Sequence, residues 1–456
     1  MPEAEPRLVR RYHQLVMSHL SPKDRLAAGA GSWPGASGAF AVTQAAWRFY
    51  DNDAVTAAQL VQPLIAQVDQ AARATCVGHV LVACDWSFLS YTQHHAKADR
   101  TEYATDASDS NSPKGYELFS ALALSDTGGQ PLGPVAMQMR FAGGVTGTFG
   151  PARQEAFFRL DRLVPALRHI AGLKLGAKPP VFIIDREADS VGHYRQWSHD
   201  GHRFLVRAKT TRKVLHEGCE KTLSQVLAAL HGQHAFVPAG EVEIKGRPAL
   251  AQVAETEVTL HRPARQHRVK GRGKQRKSKH HNVSGPPLPL RLVVSEVRDG
   301  AGKLLARWLL LTNLAGTVPK TVVARWYYWR WRIETYHKLL KGAGLQVEQW
   351  RQDDAEALLK RLLVGSMAVA LVWQLARDQS PEAGELRNVL VRLSGRQMAR
   401  ATPKKPSRGF TEPALLAGLG VLLPMLALLE TTDAGDLREM VRQTLGLPLP
   451  QRQSSA

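Results

Sequence analysis

Short apolar runs recur between residues 61 and 210, separated by turn-forming and amphipathic segments. The runs predicted to be strands are Val80–Ala83, Leu118–Leu124, Val135–Phe141, Val181–Ile184 and Phe204–Val206, and a helix is predicted over Ala152–Ala171. Three strands followed by helix, strand, helix and strand are typical of a mixed α/β sheet with helices packed against it. The pattern therefore predicts an α/β domain over about residues 61–355.

The interval from about 211 to 315 has a different pattern. It contains β-like segments at Val242–Ile244, Val258–Leu260, Leu290–Val294 and Trp308–Leu311, so we expect a β-rich insertion within the α/β domain.

The flanking regions are predicted to be helical. Residues 1–60 form a helical N-terminal domain, with Ser21-Pro22 as a helix start and Gly29–Gly38 as a break. Residues 356–456 form a helical C-terminal domain around apolar helices at Ala355–Arg377 and Ala414–Leu429.

The charge balance points to a polyanionic partner. The 456 residues include 60 Lys and Arg against 40 Asp and Glu, a formal net charge of +20. A membrane partner is not expected, because the apolar stretch around Leu362–Ala376 is shorter than the ~20 residues of a span. The N-terminus lacks the order of a signal peptide, so a cytoplasmic, nucleoid-associated protein is expected. Three cysteines without a CxxC pair predict neither a zinc ribbon nor a disulfide framework.

The densest positive charge lies within the insertion. His261 to His280 contains nine Lys and Arg and no acid, with Gly271 and Gly273 inside it. An exposed flexible loop is predicted, either as an arm that follows DNA or as a solvated tract.

Three carboxylates stand where metal-dependent phosphodiester chemistry needs them. Asp85 and Asp185 each end a predicted buried strand, and Glu334 lies in a basic, aromatic helix over residues 326–341. Oxygen ligands favour Mg²⁺ or Mn²⁺, and two such ions can activate the attacking oxygen and stabilise the leaving one. A strand-end or helix-cap role remains the alternative for either Asp taken alone.

The helix around Glu334 has a distinctive spacing, Tyr327-x2-Arg330-x3-Glu334-x6-Lys341. Offsets of three, four and seven residues fall near whole turns, so these four side chains are predicted to share one helix face. A cationic stripe around a carboxylate suits a helix that holds DNA phosphates beside metal ions.

This signature resembles that of the bacterial DDE transposases of the insertion-sequence-four family. The resemblance includes Asp-Arg-Glu-Ala-Asp at 185–189, Val-Arg-Ala-Lys at 206–209 and Trp-Leu-Leu-Leu-Thr at 308–312. It implies an RNase H-like core in which Asp85, Asp185 and Glu334 bind two ions. It also implies DNA contacts by Tyr327, Arg330, Lys338, Lys341, Arg207, Lys209 and Trp308.

The resemblance implies a complete reaction. Such enzymes excise and insert a DNA element by cut-and-paste, through a hairpin intermediate, as homodimers on the terminal inverted repeats of double-stranded DNA. It also assigns end binding to residues 1–60, for which a small helical cap on the catalytic domain is the alternative. Dimerisation is assigned to the C-terminal domain, for which packing within a single chain is the alternative. Trp308 would stack on an extruded base, although a buried core Trp is equally compatible with its apolar strand.

Two other functions remain open. One is a non-catalytic DNA-binding regulator, which the presence of all three carboxylates disfavours. The other is a structure-specific nuclease without strand transfer.

Overall fold

The fold is described from a computed structural model, which defines residues 5–20, 39–102, 112–151, 158–244, 246–270, 277–342, 344–396 and 409–445. The chain divides into two compact units. One comprises residues 1–56, 93–98 and 338–456, and the other comprises residues 57–92 and 99–337. Ser21-Pro22 and Gly29–Gly38 lie outside the described residues.

The helices and strands are numbered along the chain. The helices are α1 Pro6–Leu20, α2 Ala39–Tyr50, α3 Ala57–Leu60, α4 Gln62–Thr75, α5 Arg159–Gly172, α6 Val191–His199, α7 Leu223–Gly232, α8 Lys320–Trp329, α9 Arg332–Leu340, α10 Ala355–Arg377, α11 Pro381–Leu393, α12 Glu412–Leu429 and α13 Ala434–Leu445. The strands are β1 Val80–Ser90, β2 Thr101–Glu102, β3 Lys114–Ser125, β4 Pro131–Phe141, β5 Gly144–Gly147, β6 Pro180–Ile184, β7 Arg203–Arg207, β8 Lys213–His216, β9 Cys219–Thr222, β10 Val237–Ile244, β11 Arg247–Leu260, β12 Ala264–Lys270, β13 Lys277–Val283, β14 Leu288–Arg298 and β15 Leu304–Thr312.

One large mixed sheet organises the 57–92/99–337 unit, which confirms the predicted α/β class. Its order is β5-β4-β3-β1-β6-β7-β15-β14-β11-β8-β9, with β10 paired to β11 and β2 to β3. β1 runs antiparallel to β3 and parallel to β6, and β6 runs parallel to β7. The five strands predicted from apolar runs lie within β1, β3, β4, β6 and β7.

The burial of these strands explains why the sequence pattern predicted them correctly. Val80 to Cys84 and Val181 to Ile184 are fully buried, because this part of the sheet is covered on both faces. The helix predicted from Ala152 is described from Arg159, since residues 152–157 lie outside the described part of the chain.

The strands of the 211–315 interval continue the same sheet. β15 pairs antiparallel with β7, and β14 and β11 follow it. The insertion is therefore joined to the α/β strands by backbone hydrogen bonds.

The basic tract does not form the predicted loop throughout. Ala264–Lys270 and Lys277–Val283 pair as an antiparallel two-stranded sheet, with Ala264 opposite Val283 and Lys270 opposite Lys277. Regular cross-strand hydrogen bonding satisfies the backbone of these two segments. Residues 271–276 lie outside the described residues.

The other unit is helical. α1 and α2 pack with α10, most of which is buried, and α11 packs with α12. Arg361 of α10 is almost fully buried, 4.0 Å from the ring centroid of Trp350, and donates a hydrogen bond to Gln352.

α12 differs from α10 in its environment. Within the described residues, Glu412–Leu429 is a helix long and apolar enough by composition to cross a membrane, with a mean hydropathy of 1.9 and 28% of the segment buried. It is a longer apolar stretch than the one the sequence interpretation singled out at 362–376. Its second half exposes Val421, Met425, Leu426 and Leu429.

Candidate active site

Asp85 lies inside β1 rather than at its end, contrary to the sequence prediction. β1 continues to Ser90 because β3 runs beside it over that whole length, with Asp85 opposite Ser120. The parallel partner β6 stops earlier, and its last register pair joins Cys84 to Ile184. Asp85 is therefore the first residue of β1 beyond the end of β6.

Asp185 follows directly after β6, as predicted. Its side chain accepts a hydrogen bond from the Arg186 N–H at 2.7 Å and so caps the short 3-10 turn Arg186–Ala188. Because Cys84 and Ile184 are register partners, Asp85 and Asp185 lie at the same level of the sheet, each one residue beyond the last pair of β1 with β6. The sheet thus fixes the relative position of two carboxylates that are 100 residues apart in sequence.

Glu334 lies in the first turn of α9, and the predicted single helix is interrupted before it. α8 ends at Trp329 and α9 begins at Arg332. The N–H groups of Arg330, Ile333 and Glu334 each bond to the carbonyl three residues back, so the backbone tightens here. The prediction that Tyr327, Arg330, Glu334 and Lys341 share the face of one continuous helix is therefore wrong.

The Arg330 guanidinium connects the three carboxylates. Its Nη2 lies 3.0 Å from Glu334 Oε1 and 3.7 Å from Asp185 Oδ2, and its Nη1 lies 3.6 Å from Asp85 Oδ2. Arg330 is only 4% exposed. The tight turn directs a residue from the α8–α9 junction into the space between the carboxylates.

The two aspartates differ in acidity. Burial raises the pKa of Asp85 to about 6, although Arg330 and a hydrogen bond from the Trp86 N–H oppose the shift. Burial would also raise the pKa of Asp185, but Arg330 and hydrogen bonds from Arg186 and Tyr327 hold that pKa below its usual value. Near pH 6, one carboxyl is thus partly protonated while the other is ionised.

Tyr327 supports Asp185 from α8. Its hydroxyl donates a hydrogen bond to Asp185 Oδ1 at 3.0 Å, and the residue is 1% exposed. Burial raises its pKa, so Tyr327 remains a neutral donor. Arg207, at the end of β7, places Nη1 3.7 Å from the same carboxylate oxygen.

Trp308 lies in the middle of β15 and is 6% exposed. Its ring centroid is 5.7 Å from that of Tyr327. It also lines a cavity of about 250 Å³ together with Tyr328, Trp329 and Arg325. The Trp308 ring thus lies beside the Tyr327 ring. The role of Trp308 in base stacking stays a prediction.

The remaining predicted DNA contacts occupy different places. Lys209 is exposed after β7, and its backbone N–H donates to Asp189 at 2.9 Å. Lys338 and Lys341 belong to the other unit, where Lys338 is exposed and Lys341 lies 3.5 Å from Glu348.

Sequence reasoning missed a network of ion pairs beside Asp85. Arg159 donates to Glu117 and to Glu187, both at 2.7 Å, and Arg162 donates to the other Glu117 oxygen. The Arg159 guanidinium carbon also lies 5.9 Å from the ring centroid of Trp86. Arg159 therefore ties α5 to the residues that follow both aspartates. Its partners are 42 and 28 residues away, so no local spacing could have indicated it.

Asp189 anchors the next loop. It is buried and accepts hydrogen bonds from the Lys209 N–H, the Arg212 guanidinium and the Tyr194 hydroxyl. Asp189, the last residue of the Asp-Arg-Glu-Ala-Asp motif, thus joins the turn after β6 to the segment after β7.

The three carboxylates are candidate ligands for a metal ion. Carboxylate oxygens suit Mg²⁺ or Mn²⁺. Across the described ranges, however, no three Asp, Glu, His or Cys side chains converge closely enough to hold one ion. The three carboxylates surround the Arg330 guanidinium, so as arranged they do not form a closed metal site.

No protein-family model matches the sequence, and no curated protein matches it. One similar solved structure is the cryo-EM structure of the piggyBac transposase synaptic complex with hairpin DNA. The likeness covers 99% of this chain and 78% of that chain, with 9% identity and a TM-score of 0.33. A TM-score this low supports no conclusion about fold or activity.

Proposed function

We propose that this protein is a DDE-type DNA transposase that cleaves and joins DNA strands. The observation that carries the proposal is the meeting of Asp85, Asp185 and Glu334 around Arg330, from two adjacent strands and a helix distant in sequence. Acidic side chains gathered at the end of parallel strands, in a chain of net charge +20, suit chemistry on a polyanion.

The proposal includes an RNase H-like core of the insertion-sequence-four type. The order β4-β3-β1-β6-β7, with β1 antiparallel to β3 and parallel to β6, supports it. The signature residues Tyr327, Arg330 and Glu334 support the family assignment, because they form a connected group although the helix is broken between them.

The proposed reaction breaks phosphodiester bonds and forms new ones. Water attacks one strand at each element end and releases a 3′-hydroxyl, which attacks the opposite strand and gives a hairpin. A second water reopens the hairpin, and the 3′-hydroxyls then attack target DNA. Once Arg330 leaves them, Asp85, Asp185 and Glu334 would hold two Mg²⁺ or Mn²⁺ ions, which would activate the attacking oxygen and stabilise the leaving oxygen.

This chain's own residues would bind and orient the DNA. Tyr327 and Arg207 fix the direction of the Asp185 carboxylate. Lys209, Lys338 and Lys341 are proposed to contact phosphates, together with Arg330 once it leaves its carboxylate partners.

A homodimer on DNA belongs to the proposal. In the helical unit, α12 and α13 expose Val421, Met425, Leu426, Leu429 and Met440, which are 40–50% accessible. Exposed apolar side chains on neighbouring turns of a helix favour burial against another protein surface. A second copy of the chain is the proposed occupant.

A nuclease without strand transfer is a second candidate. The burial of Trp308 favours it, because a side chain 6% exposed offers little surface on which to stack an extruded base.

Replacement of single carboxylates tests the proposal. Glu334→Gln, Asp85→Asn and Asp185→Asn should each abolish cleavage of end-labelled duplexes carrying the termini of the encoding element, while binding of those duplexes persists. Glu257→Gln, at an exposed position of β11, serves as the control and should cleave like the unmodified protein. Full cleavage by any of the three variants would remove that residue from the active site, and a lack of cleavage by the unmodified protein with Mg²⁺ or Mn²⁺ would contradict the proposed function.

A further inference from the structure

A large groove lies beside the candidate active site within the 57–92/99–337 unit. Its volume is about 1000 Å³, and it runs between the start of α5, the turn after β6, and the β7–β8 and β11–β12 connections. We call it the α5–β12 groove. Six cationic side chains line it: Arg159, Lys209, Arg212, Lys213, Arg262 and Arg265.

The groove has a surplus of positive charge, because six Lys and Arg side chains line it against three acidic residues, Asp161, Glu187 and Asp189. Lys213 and Arg262 both pair with the single carboxylate of Glu220. Lys209 and Arg265 form no ion pair with an acidic side chain in the described part of the chain. A concave surface with surplus positive charge attracts a polyanion more strongly than a flat one.

The groove is continuous with the carboxylate site. Glu187 lines it and belongs to the turn that Asp185 opens. Lys209 also lines it and lies two residues after Arg207, whose guanidinium is 3.7 Å from Asp185. At the other end, Arg265 and Asn282 come from the paired strands β12 and β13.

The lining of the groove favours one form of nucleic acid. Phe158 on the rim is 44% exposed. Cations that follow a backbone, combined with an exposed aromatic side chain, are the features of grooves that bind unpaired strands.

We propose that the α5–β12 groove binds a short unpaired DNA segment adjoining the bond to be cleaved. The inference rests on the proposed function, because it assigns the path of the strand that leaves the carboxylate site. Phe158 stacks on a base, and Arg265 and Lys213 contact phosphates. Binding of this segment favours opening of the duplex next to the carboxylates.

Fluorescence anisotropy with a labelled oligothymidylate of about six nucleotides tests the proposal without any cleavage step. Phe158→Ala should weaken binding roughly five- to a hundredfold, the range expected for loss of one stacked base, and Phe158→Trp should retain it. Arg265→Gln and Lys213→Gln should each lower the slope of log affinity against log salt by about 0.7.

Matched controls lie outside the groove. Leu305→Ala, at a 37% exposed apolar position, and Lys303→Gln, at an exposed position in the β14–β15 turn, should bind the oligonucleotide like the unmodified protein. Equal affinity of Phe158→Ala and Leu305→Ala would overturn the inference, and so would a six-base-pair duplex that competes as well as the single strand.

The two proposals fail separately. A protein that binds the oligonucleotide through Phe158 but cleaves no duplex retains the groove and loses the transposase function. A protein that cleaves duplex ends but binds the oligonucleotide independently of Phe158 and Arg265 loses only the groove.

Discussion

The Arg330 guanidinium lies 3.0 Å from Glu334 at the junction of α8 and α9, and the same nitrogen lies 3.7 Å from Asp185. A buried cation therefore balances carboxylates that would otherwise repel one another. The tight turn between the helices brings it there. The repulsion between these carboxylates should thus depend on Arg330 and on added divalent ions.

Arg330→Met tests that dependence. Removal of one partner of a buried ion pair typically costs about 3–5 kcal/mol, so the Tm in the presence of a chelator should fall. Because Mn²⁺ can replace the missing positive charge, addition of Mn²⁺ should raise the Tm of the variant more than that of the unmodified protein. Differential scanning fluorimetry with a Mn²⁺ titration measures both effects.

Arg207→Gln provides the control for Arg330. Arg207 lies 3.7 Å from Asp185, but its side chain is 34% exposed, so its replacement should cost less than about 1 kcal/mol. An equal rise in Tm of both variants on addition of Mn²⁺ would contradict the proposed balancing of the carboxylates by Arg330.

The raised pKa of Asp85 predicts a pH dependence of stability. An acid whose pKa is higher in the folded protein destabilises the fold once it ionises, so this destabilisation is absent below about pH 4 and complete above about pH 7. At pH 7.5, Asp85→Asn should therefore have a higher Tm than the unmodified protein. Its free energy of unfolding should be larger by an amount on the order of 2–3 kcal/mol. The difference should shrink towards pH 4.

Asp185→Asn should show the opposite sign. Its pKa is held below the usual value, so its ionised form stabilises the fold, and this stabilisation disappears as the pH falls through that lowered pKa. The variant should be less stable at neutral pH. Parallel melting curves of the two variants from pH 3.5 to 8 decide the matter, and two differences of the same sign would contradict the assignment.

The basic tract between Ala264 and Val283 is predicted to supply affinity without sequence preference. Replacing Arg268, Lys270, Arg272, Lys274, Arg276 and Lys277 with Gln should weaken binding to all DNA sequences. The slope of log affinity against log salt should decrease by about 0.9 for each phosphate that the protein no longer neutralises. Filter binding at several salt concentrations measures it.

A double substitution elsewhere tests whether the loss of exposed cations outside the tract changes the slope. Lys174→Gln with Lys303→Gln removes two exposed cations outside the tract and should leave the slope nearly unchanged. An unchanged slope in the sixfold variant would mean that the tract does not touch DNA.

Trp308→Ala separates strand transfer from simple nicking. If Trp308 holds an extruded base, first-strand nicking should persist while hairpin formation falls roughly ten- to a hundredfold, from a stacking contribution of about 1–3 kcal/mol. Both products are resolved on denaturing gels with labelled end DNA.

The burial of Trp308 makes the stability measurement essential. A core role predicts that nick and hairpin decline together in a protein with a lower Tm, because removal of a buried Trp costs about 3–5 kcal/mol. Equal loss of both products in a destabilised protein, or an intact hairpin yield, would exclude the stacking role.

The buried strands were predictable because their environment imposes a simple pattern. β6 is covered on both faces, so Val181 to Ile184 are all apolar, and Asp185 after them marks the end of the strand. The predicted end of β1 at Asp85 was wrong because β3 pairs with β1 as far as Ser90. That pairing depends on the sequence of β3 and leaves no signal within β1 itself.

The α8–α9 junction shows a second limit. The spacing of Tyr327, Arg330 and Glu334 fits a continuous helix as well as two helices with a tight turn. Which one forms depends on partners such as Asp85 and Asp185, more than 140 residues away in sequence. The ion pair of Arg159 with Glu117 was not predicted for the same reason, because a pair between residues distant in sequence produces no periodic pattern.

The pairing of β15 with β7 has a consequence for how the chain is made. On the edge of β7 that faces away from β6, Leu205, Val206 and Arg207 pair with residues 310–312, which a ribosome synthesises about a hundred residues later. Until then β7 is an apolar strand with an open edge, and such edges pair readily with other chains. A copy shortened by an internal deletion between β7 and β15 should therefore aggregate during synthesis instead of yielding a smaller enzyme.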